Sequence, residues 1–167
     1  CLTDMYGSKV NIVFEGLEKL RKVFGEEAEN DIAILKTDAD NAEISTEIQV
    51  FDSTFITTGE DVFAVGNPLS NGPSVTKGII SRINTLINVE GNNYPSREIQ
   101  FDAAINSGNS GGGLFNNEGK FVGLVNAKLI YAQSGNSNMP VAGTAYAIPS
   151  RLVISIADNI IKNSDKK

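Results

Sequence analysis

Apolar and polar positions alternate in short runs along most of this chain. Lys9 to Phe14 (KVNIVF) alternates well enough to predict a strand, and Asp31 to Lys36 (DIAILK) predicts a compact apolar strand entered through an acid. Asp61 to Gly66 (DVFAVG) predicts a strand ended by Asn67-Pro68. Further strands are predicted at 75–83, 85–89, 97–101, 120–126 and 143–148. Gly91-Asn92-Asn93 reads as a turn, 134–140 as a loop of Gly, Ser, Asn and Pro, and 38–58 as a polar linker. Between Glu15 and Asn30 two readings stay open. Leu17, Leu20 and Phe24 sit at helical spacing, yet Gly16 and Gly25 bracket the segment as a hairpin arm would be bracketed. Only the C-terminal segment has clear helical periodicity: Ser150 is placed to cap it, and Leu152, Val153, Ile156, Ile160 and Ile161 form one apolar stripe. Short strands at close spacing followed by one helix predict an all-β barrel or sandwich covered by a docking helix.

Composition narrows the function classes. A chain of 167 residues with 41% hydrophobic and 20% charged residues can bury a real core. The formal charge of −6 and the lack of clustered Lys and Arg argue against a nucleic-acid partner. No apolar run is long enough to predict a membrane span. One cysteine allows no internal disulfide, and with no histidine at all a transition-metal site is not expected; no cofactor is predicted. The chain opens on Cys1 rather than methionine, which reads as a processed or excised piece.

Candidate chemistry concentrates in Gly108-Asn109-Ser110-Gly111-Gly112. Glycines on both sides of Ser110 permit a sharp turn that presents its hydroxyl outward and aims the N–H groups of Gly108 and Ser110 at one point. Two converging donors there would stabilise the oxyanion of a tetrahedral intermediate. A serine hydroxyl needs a neighbouring base to become a nucleophile at neutral pH, and the usual base, histidine, is missing.

The flanks carry a resemblance. Asp61 to Pro68 (DVFAVGNP), Val75 to Ile83 (VTKGIISRI), Ile99 to Val125 (IQFDAAINSGNSGGGLFNNEGKFVGLV) and Gly143 to Val153 (GTAYAIPSRLV) occur in the order seen in the HtrA (DegP-like) branch of the trypsin-like serine proteases, and closely resemble its blocks. Asp31 to Lys36 resembles the block that holds the catalytic aspartate, whereas residues 1–30 match weakly. The resemblance implies a double β-barrel with an incomplete N-terminal barrel and a C-terminal helix. Residues 1–52 would be the remainder of the first barrel, and 53–167 the second barrel plus helix. It implies Ser110 as nucleophile, Asp31 as the acid that orients the base, and Gly108, Asn109 and Ser110 as the oxyanion hole.

Counting back from Asp31 places the family's histidine at or just before Cys1. The run Cys1-Leu2-Thr3-Asp4 resembles the continuation of an Ala-His-Cys sequence, so the histidine is expected immediately upstream. The specificity pocket would be walled by Ala104 and Ile105, by Leu124, Val125 and Asn126, and by Tyr146, Ala147 and Ile148. No acid stands where trypsin-type enzymes hold Arg or Lys, so an apolar side chain such as Val, Leu or Ala is expected. Substrate backbone would add as a strand at 124–128.

Gly113 departs from the family, which usually has proline there. Family analogy implies unfolded or damaged polypeptides as substrates, in protein quality control, and the cell envelope or secretion as location. Open strand edges near 9–14 and 31–36 predict self-association or strand exchange, including homo-oligomers. The rivals are a pseudoprotease that only binds peptides and a serine enzyme with a lysine base, for which Lys128 is the nearest candidate.

Overall fold

A computed structural model describes residues 2–3, 9–10, 22–27, 32–36, 48–68, 72–87, 96–106, 108–126, 131–134, 137–140 and 143–164. The strands are β1 (Leu2–Thr3), β2 (Lys9–Val10), β3 (Lys22–Glu27), β4 (Ile32–Lys36), β5 (Asp61–Gly66), β6 (Ser74–Ile87), β7 (Ser96–Phe101), β8 (Gly113–Asn116), β9 (Phe121–Asn126), β10 (Tyr131–Ser134), β11 (Ser137–Pro140) and β12 (Ala145–Pro149). A 3₁₀ turn at Ser53–Phe55 precedes β5, and helix α1 spans Ser150–Ser164.

Six strands close into an antiparallel barrel in the order β12-β7-β6-β5-β8-β9. Its interior is filled from all sides, with Val62, Ile80, Phe101, Leu114, Val122 and Ala147 having no exposed surface. Alternation on β5 explains its placement: Val62, Ala64 and Gly66 are buried while their neighbours are half-exposed. Strand β9 breaks that rule, because all of its residues are buried. Val122 and Val125 join the barrel interior, whereas Phe121 and Leu124 pack under α1 with Val153, Ile156, Ile160 and Ile161. A strand covered on both faces reads as a nearly continuous apolar run, as KFVGLV does.

The N-terminal strands pair as two hairpins, β1 with β2 and β3 with β4. The segment 22–27 is therefore a hairpin arm, with a bulge between Val23 and Gly25. Ile32 and Ile34 of β4 are buried against α1, so the helix lies between this hairpin and the outer face of the barrel. The described strands of this region do not close a barrel, and the two edges expected to be open each have one ladder partner.

Several sequence expectations change in detail. The predicted strands at 75–83 and 85–89 are one strand, β6, through Ile87. Asn84 takes φ 55, a left-handed conformation that asparagine tolerates, and the bulge there bends the strand without ending it. Strand β8 was hidden by its shortness and its leading glycine. The loop at 134–140 contains β11, which pairs with β10 from Tyr131↔Pro140 to Ser134↔Ser137; proline is tolerated on such an edge.

The second half of the supposed linker is anchored. The Phe51 N–H donates to the Phe121 carbonyl (2.9 Å), the Phe121 N–H donates to that of Gln49 (2.8 Å), and Ile56 is buried in the barrel core. Ser150 is the first residue of α1. Its hydroxyl donates to the Phe51 carbonyl (2.6 Å), and Ser53 Oγ accepts the Arg151 N–H (3.3 Å) at the helix start.

Candidate active site

The segment leading into the serine turn is clamped onto β6. Asp102 Oδ1 accepts the Ile79 N–H (2.7 Å), and the Thr76 hydroxyl donates to the Ala104 carbonyl (2.9 Å). These bonds fix the path of 102–104 one step before the turn, with Ala103 buried and Ala104 exposed. Ile105 follows, half-buried against the barrel core.

The turn itself is held from two directions. The Asn109 N–H donates to the Asn106 carbonyl (3.1 Å), and the Gly112 N–H to the Asn109 carbonyl (3.0 Å). Gly111 N–H donates to the Val125 carbonyl (2.9 Å), and Val125 N–H returns a bond to the Gly112 carbonyl (2.8 Å). Gly108 and Gly111 have φ of 95 and 80, a region that penalises any residue with a Cβ, so both flanks of Ser110 require glycine. Ser110 is exposed, while Asn109 beside it is only 4% exposed. The turn thus buries its middle residue and presents the serine. Gly113, where the family usually has proline, begins β8 and pairs with Val65 and Leu124.

The expected wall residues lie on neighbouring strands. In the β9–β12 ladder Tyr146 pairs with Asn126, Ala147 with Val125 and Ile148 with Leu124. Val125 and Ala147 belong to the barrel core, and Asn126 and Tyr146 are also buried. The backbone of β9 pairs with β8 as far as Leu124, is bonded at Val125 by Gly111 and Gly112, and pairs with β12 as far as Asn126. The part of the expected strand-addition edge at 124–126 is therefore already paired within the protein. Asp31 and Lys128 lie outside the described residues.

One buried group had no signal in the sequence. Glu98 on β7 is 1% exposed; its Oε1 accepts from the Ser96 hydroxyl (2.8 Å) and from Asn126 Nδ2 (3.1 Å). Its strand neighbours look like an ordinary half-exposed run, and Asn126 is 28 residues away in sequence. Burial pushes the Tyr146 phenol above its ordinary range; the Arg82 guanidinium opposes this and the Glu98 carboxylate adds to it. Asn126 and Tyr146 therefore sit in a polar cluster that includes a carboxylate. Among the described residues no group of His, Cys, Asp and Glu could hold a metal ion, and no helix is long and apolar enough to cross a membrane.

Comparison with known proteins agrees with this geometry. The profile of the trypsin-like peptidase domain matches residues 7–124. The chain is similar to the serine protease Do-like HtrA of Lactobacillus helveticus, 39% identical over 143 residues, which are 84% of this chain and 33% of the relative. It is similar to a probable periplasmic serine endoprotease, DegP-like, of Rickettsia prowazekii (strain Madrid E), 37% identical over 157 residues, 93% of this chain and 29% of the relative. Among solved structures, the HtrA-type protease AlgW with decapeptide superposes with a TM-score of 0.71 and 37% identity, covering 86% of this chain and 41% of that one. The chain spans about a third of the length of the curated relatives it matches.

Proposed function

The chain belongs to the trypsin-like peptidase domain family, in its HtrA (DegP-like) branch, and has that fold; from this premise we propose that it works as a serine endopeptidase. Ser110 Oγ attacks the scissile carbonyl carbon, and its proton passes to a histidine contributed from outside these 167 residues, since the sequence holds none. The carbonyl oxygen becomes an oxyanion held by the Gly108 and Ser110 amides. Collapse of the intermediate breaks the C–N bond, and the histidine returns the proton to the leaving amine. Water then hydrolyses the acyl-enzyme by the same steps. Asp31 orients the histidine and stabilises its charged form.

The observation that carries this reading is the exposed Ser110 on a turn whose neighbouring amides, those of Asn109, Gly111 and Gly112, are all bonded within the protein. Such a turn is preorganised, and preorganised donors stabilise developing charge without rearranging. Ala104, Ile105, Asn126 and Tyr146 are the residues from which we build the pocket, with Leu124, Val125 and Ala147 supporting it from the core. We assign it an apolar side chain on the strength of Ala104 and Ile105, with Asn126 and Tyr146 as its polar side. The substrates we assign are unfolded polypeptides in the cell envelope or outside the cell, a location in keeping with relatives named periplasmic. We assign 1–52 to the remainder of a first barrel and 53–167 to the second barrel and helix. Strand exchange or self-association would use the side of the β3–β4 or β1–β2 hairpin that has no ladder partner among the described residues, and a clean monomer at high concentration in size-exclusion chromatography would count against it.

The test is a fluorophosphonate probe on the full-length gene product. The expected result is one adduct on Ser110, absent in Ser110→Ala, with hydrolysis slowed roughly 10⁴-fold in Asp31→Asn. Lack of an adduct on the wild-type protein overturns the endopeptidase reading. It would favour instead a peptide-binding pseudoprotease, the reading that the missing histidine supports.

A further inference from the structure

Asn109 is buried in the middle of the serine turn, and its Oδ1 has no hydrogen-bond partner among the described residues. A buried amide oxygen without a partner needs a reason. What lies against it is Gly66, the last residue of β5. A Cβ on Gly66 would stand 2.4 Å from Asn109 Oδ1, and 3.1 Å from both Cα and Cγ of the same residue. Gly66 is not among the residues with positive φ, and it pairs with Ser74 in the β5–β6 ladder. Its backbone would accept a side chain; only the space would not. The residue before it joins the same contact. A Cβ on Gly112 would stand 2.3 Å from the Val65 carbonyl oxygen and 2.8 Å from that of Asn109. The end of β5 is thus the floor on which the turn rests.

We infer that Gly66 is a positioning residue for the oxyanion turn: its bare α-carbon is the seat that fixes Asn109, and Asn109 in turn fixes the peptide plane carrying the Ser110 amide. The backbone N–H and carbonyl of Asn109 are already tied to Asn106 and Gly112. Its side chain is the remaining handle, and Gly66 holds it. This rests on the endopeptidase reading for its catalytic consequence but not for its geometry. Adding a methyl group at 66 lifts Asn109 and rotates that amide away from the point where charge develops.

The experiment compares Gly66→Ala, Asn109→Ala and the double variant in the full-length protein. Gly66→Ala is expected to lower kcat and the rate of fluorophosphonate labelling by roughly 10- to 100-fold, with KM changed far less, because donors aimed at the oxyanion act in the transition state. Asn109→Ala alone should react more slowly than wild type, because the handle is gone; it also relieves the closest contact, so the double variant should react faster than Gly66→Ala but not faster than Asn109→Ala. A merely destabilised protein would not show that rescue. Amide chemical shifts of Gly108 and Ser110, measured by NMR, report the turn whether or not the protein is an enzyme. They should move in Gly66→Ala and move back toward wild type in the double variant.

Unmoved shifts in Gly66→Ala, wild-type labelling by that variant, or a double variant no faster than it would each overturn the inference. If wild-type protein takes no label, the endopeptidase reading fails and the shifts alone decide the seat. Should Gly66→Ala not fold, a folded double variant supports the seat, and failure of both to fold overturns it.

Discussion

Two turns flank β8, and they are anchored differently. The turn after it, 116–120, satisfies itself. Asn116 Oδ1 accepts the N–H groups of Glu118 (3.0 Å) and Lys120 (2.9 Å). The Gly119 N–H donates to the Asn116 carbonyl, and the Asn116 N–H to that of Lys120, both at 3.0 Å. The turn before it, 106–112, closes two bonds of its own, Asn109 to Asn106 and Gly112 to Asn109, and is also fixed from outside by Val125 on β9 and by the end of β5 beneath Asn109. Each turn contains an asparagine and a left-handed glycine, so their compositions look alike. The difference is in their anchors. A connecting turn can close its hydrogen bonds within a few residues, whereas a turn that must aim a side chain has to be fixed to the body of the fold.

The comparison can be broken most sharply with alanine at the two glycines. Gly112→Ala forces a Cβ against backbone oxygens of Val65 and Asn109, which cannot swing aside. It should cost about 3 kcal/mol in a denaturant titration and remove labelling of Ser110. Gly119→Ala meets open space and keeps only the strain of φ 72, so it should cost about 1 kcal/mol and leave labelling intact. Equal effects of the two would erase the distinction.

Asn116→Ala tests the self-contained turn directly. Losing the acceptor for two backbone donors should cost about 1 kcal/mol, since water can reach those donors, and the labelling rate should stay within roughly twofold of wild type.

The smallest effect concerns the 3₁₀ turn at Ser53–Phe55, whose local cap, Asp52, is itself exposed. Asp52 is held below its ordinary value of 3.8, first by the Thr54 N–H and then by the Thr54 hydroxyl; desolvation opposes this, and Arg151 adds a minor favourable charge. A depressed carboxylate stabilises fully above its ordinary value, and the contribution is lost as pH falls through the folded value. Thermal melts from pH 6 down to pH 2 should show Asp52→Asn slightly less stable than wild type at the upper end and converging with it at the lower end.

Much of the barrel was legible because its strands carry their own evidence. Strand β5 alternates cleanly, β7 and β12 are bounded by turn residues, and the α1 stripe from Val153 to Ile161 buries as its spacing predicts. Ser110 and its glycines were legible for the same local reason. What was not legible depends on partners far away in sequence. Gln49 to Phe51 lie in a segment, 38–58, that reads as a polar linker until Phe121 pairs with them. Ser150 looks like a local helix start until its hydroxyl is seen donating to the carbonyl of Phe51, far back in the chain. Glu98 looks solvated until Asn126 arrives beside it. Gly66 reads as the end of a strand, and only the folded turn above it shows why a side chain is barred there.

Strand β9 is a partition one backbone thick. Phe121 and Leu124 press on the helix, and Val125, between the barrel interior and the serine turn, holds Gly111 and Gly112. A load that displaces α1 meets no second layer before it reaches those two bonds. The C-terminal helix is therefore within mechanical reach of the Ser110 turn, although no residue of it comes from the same stretch of chain.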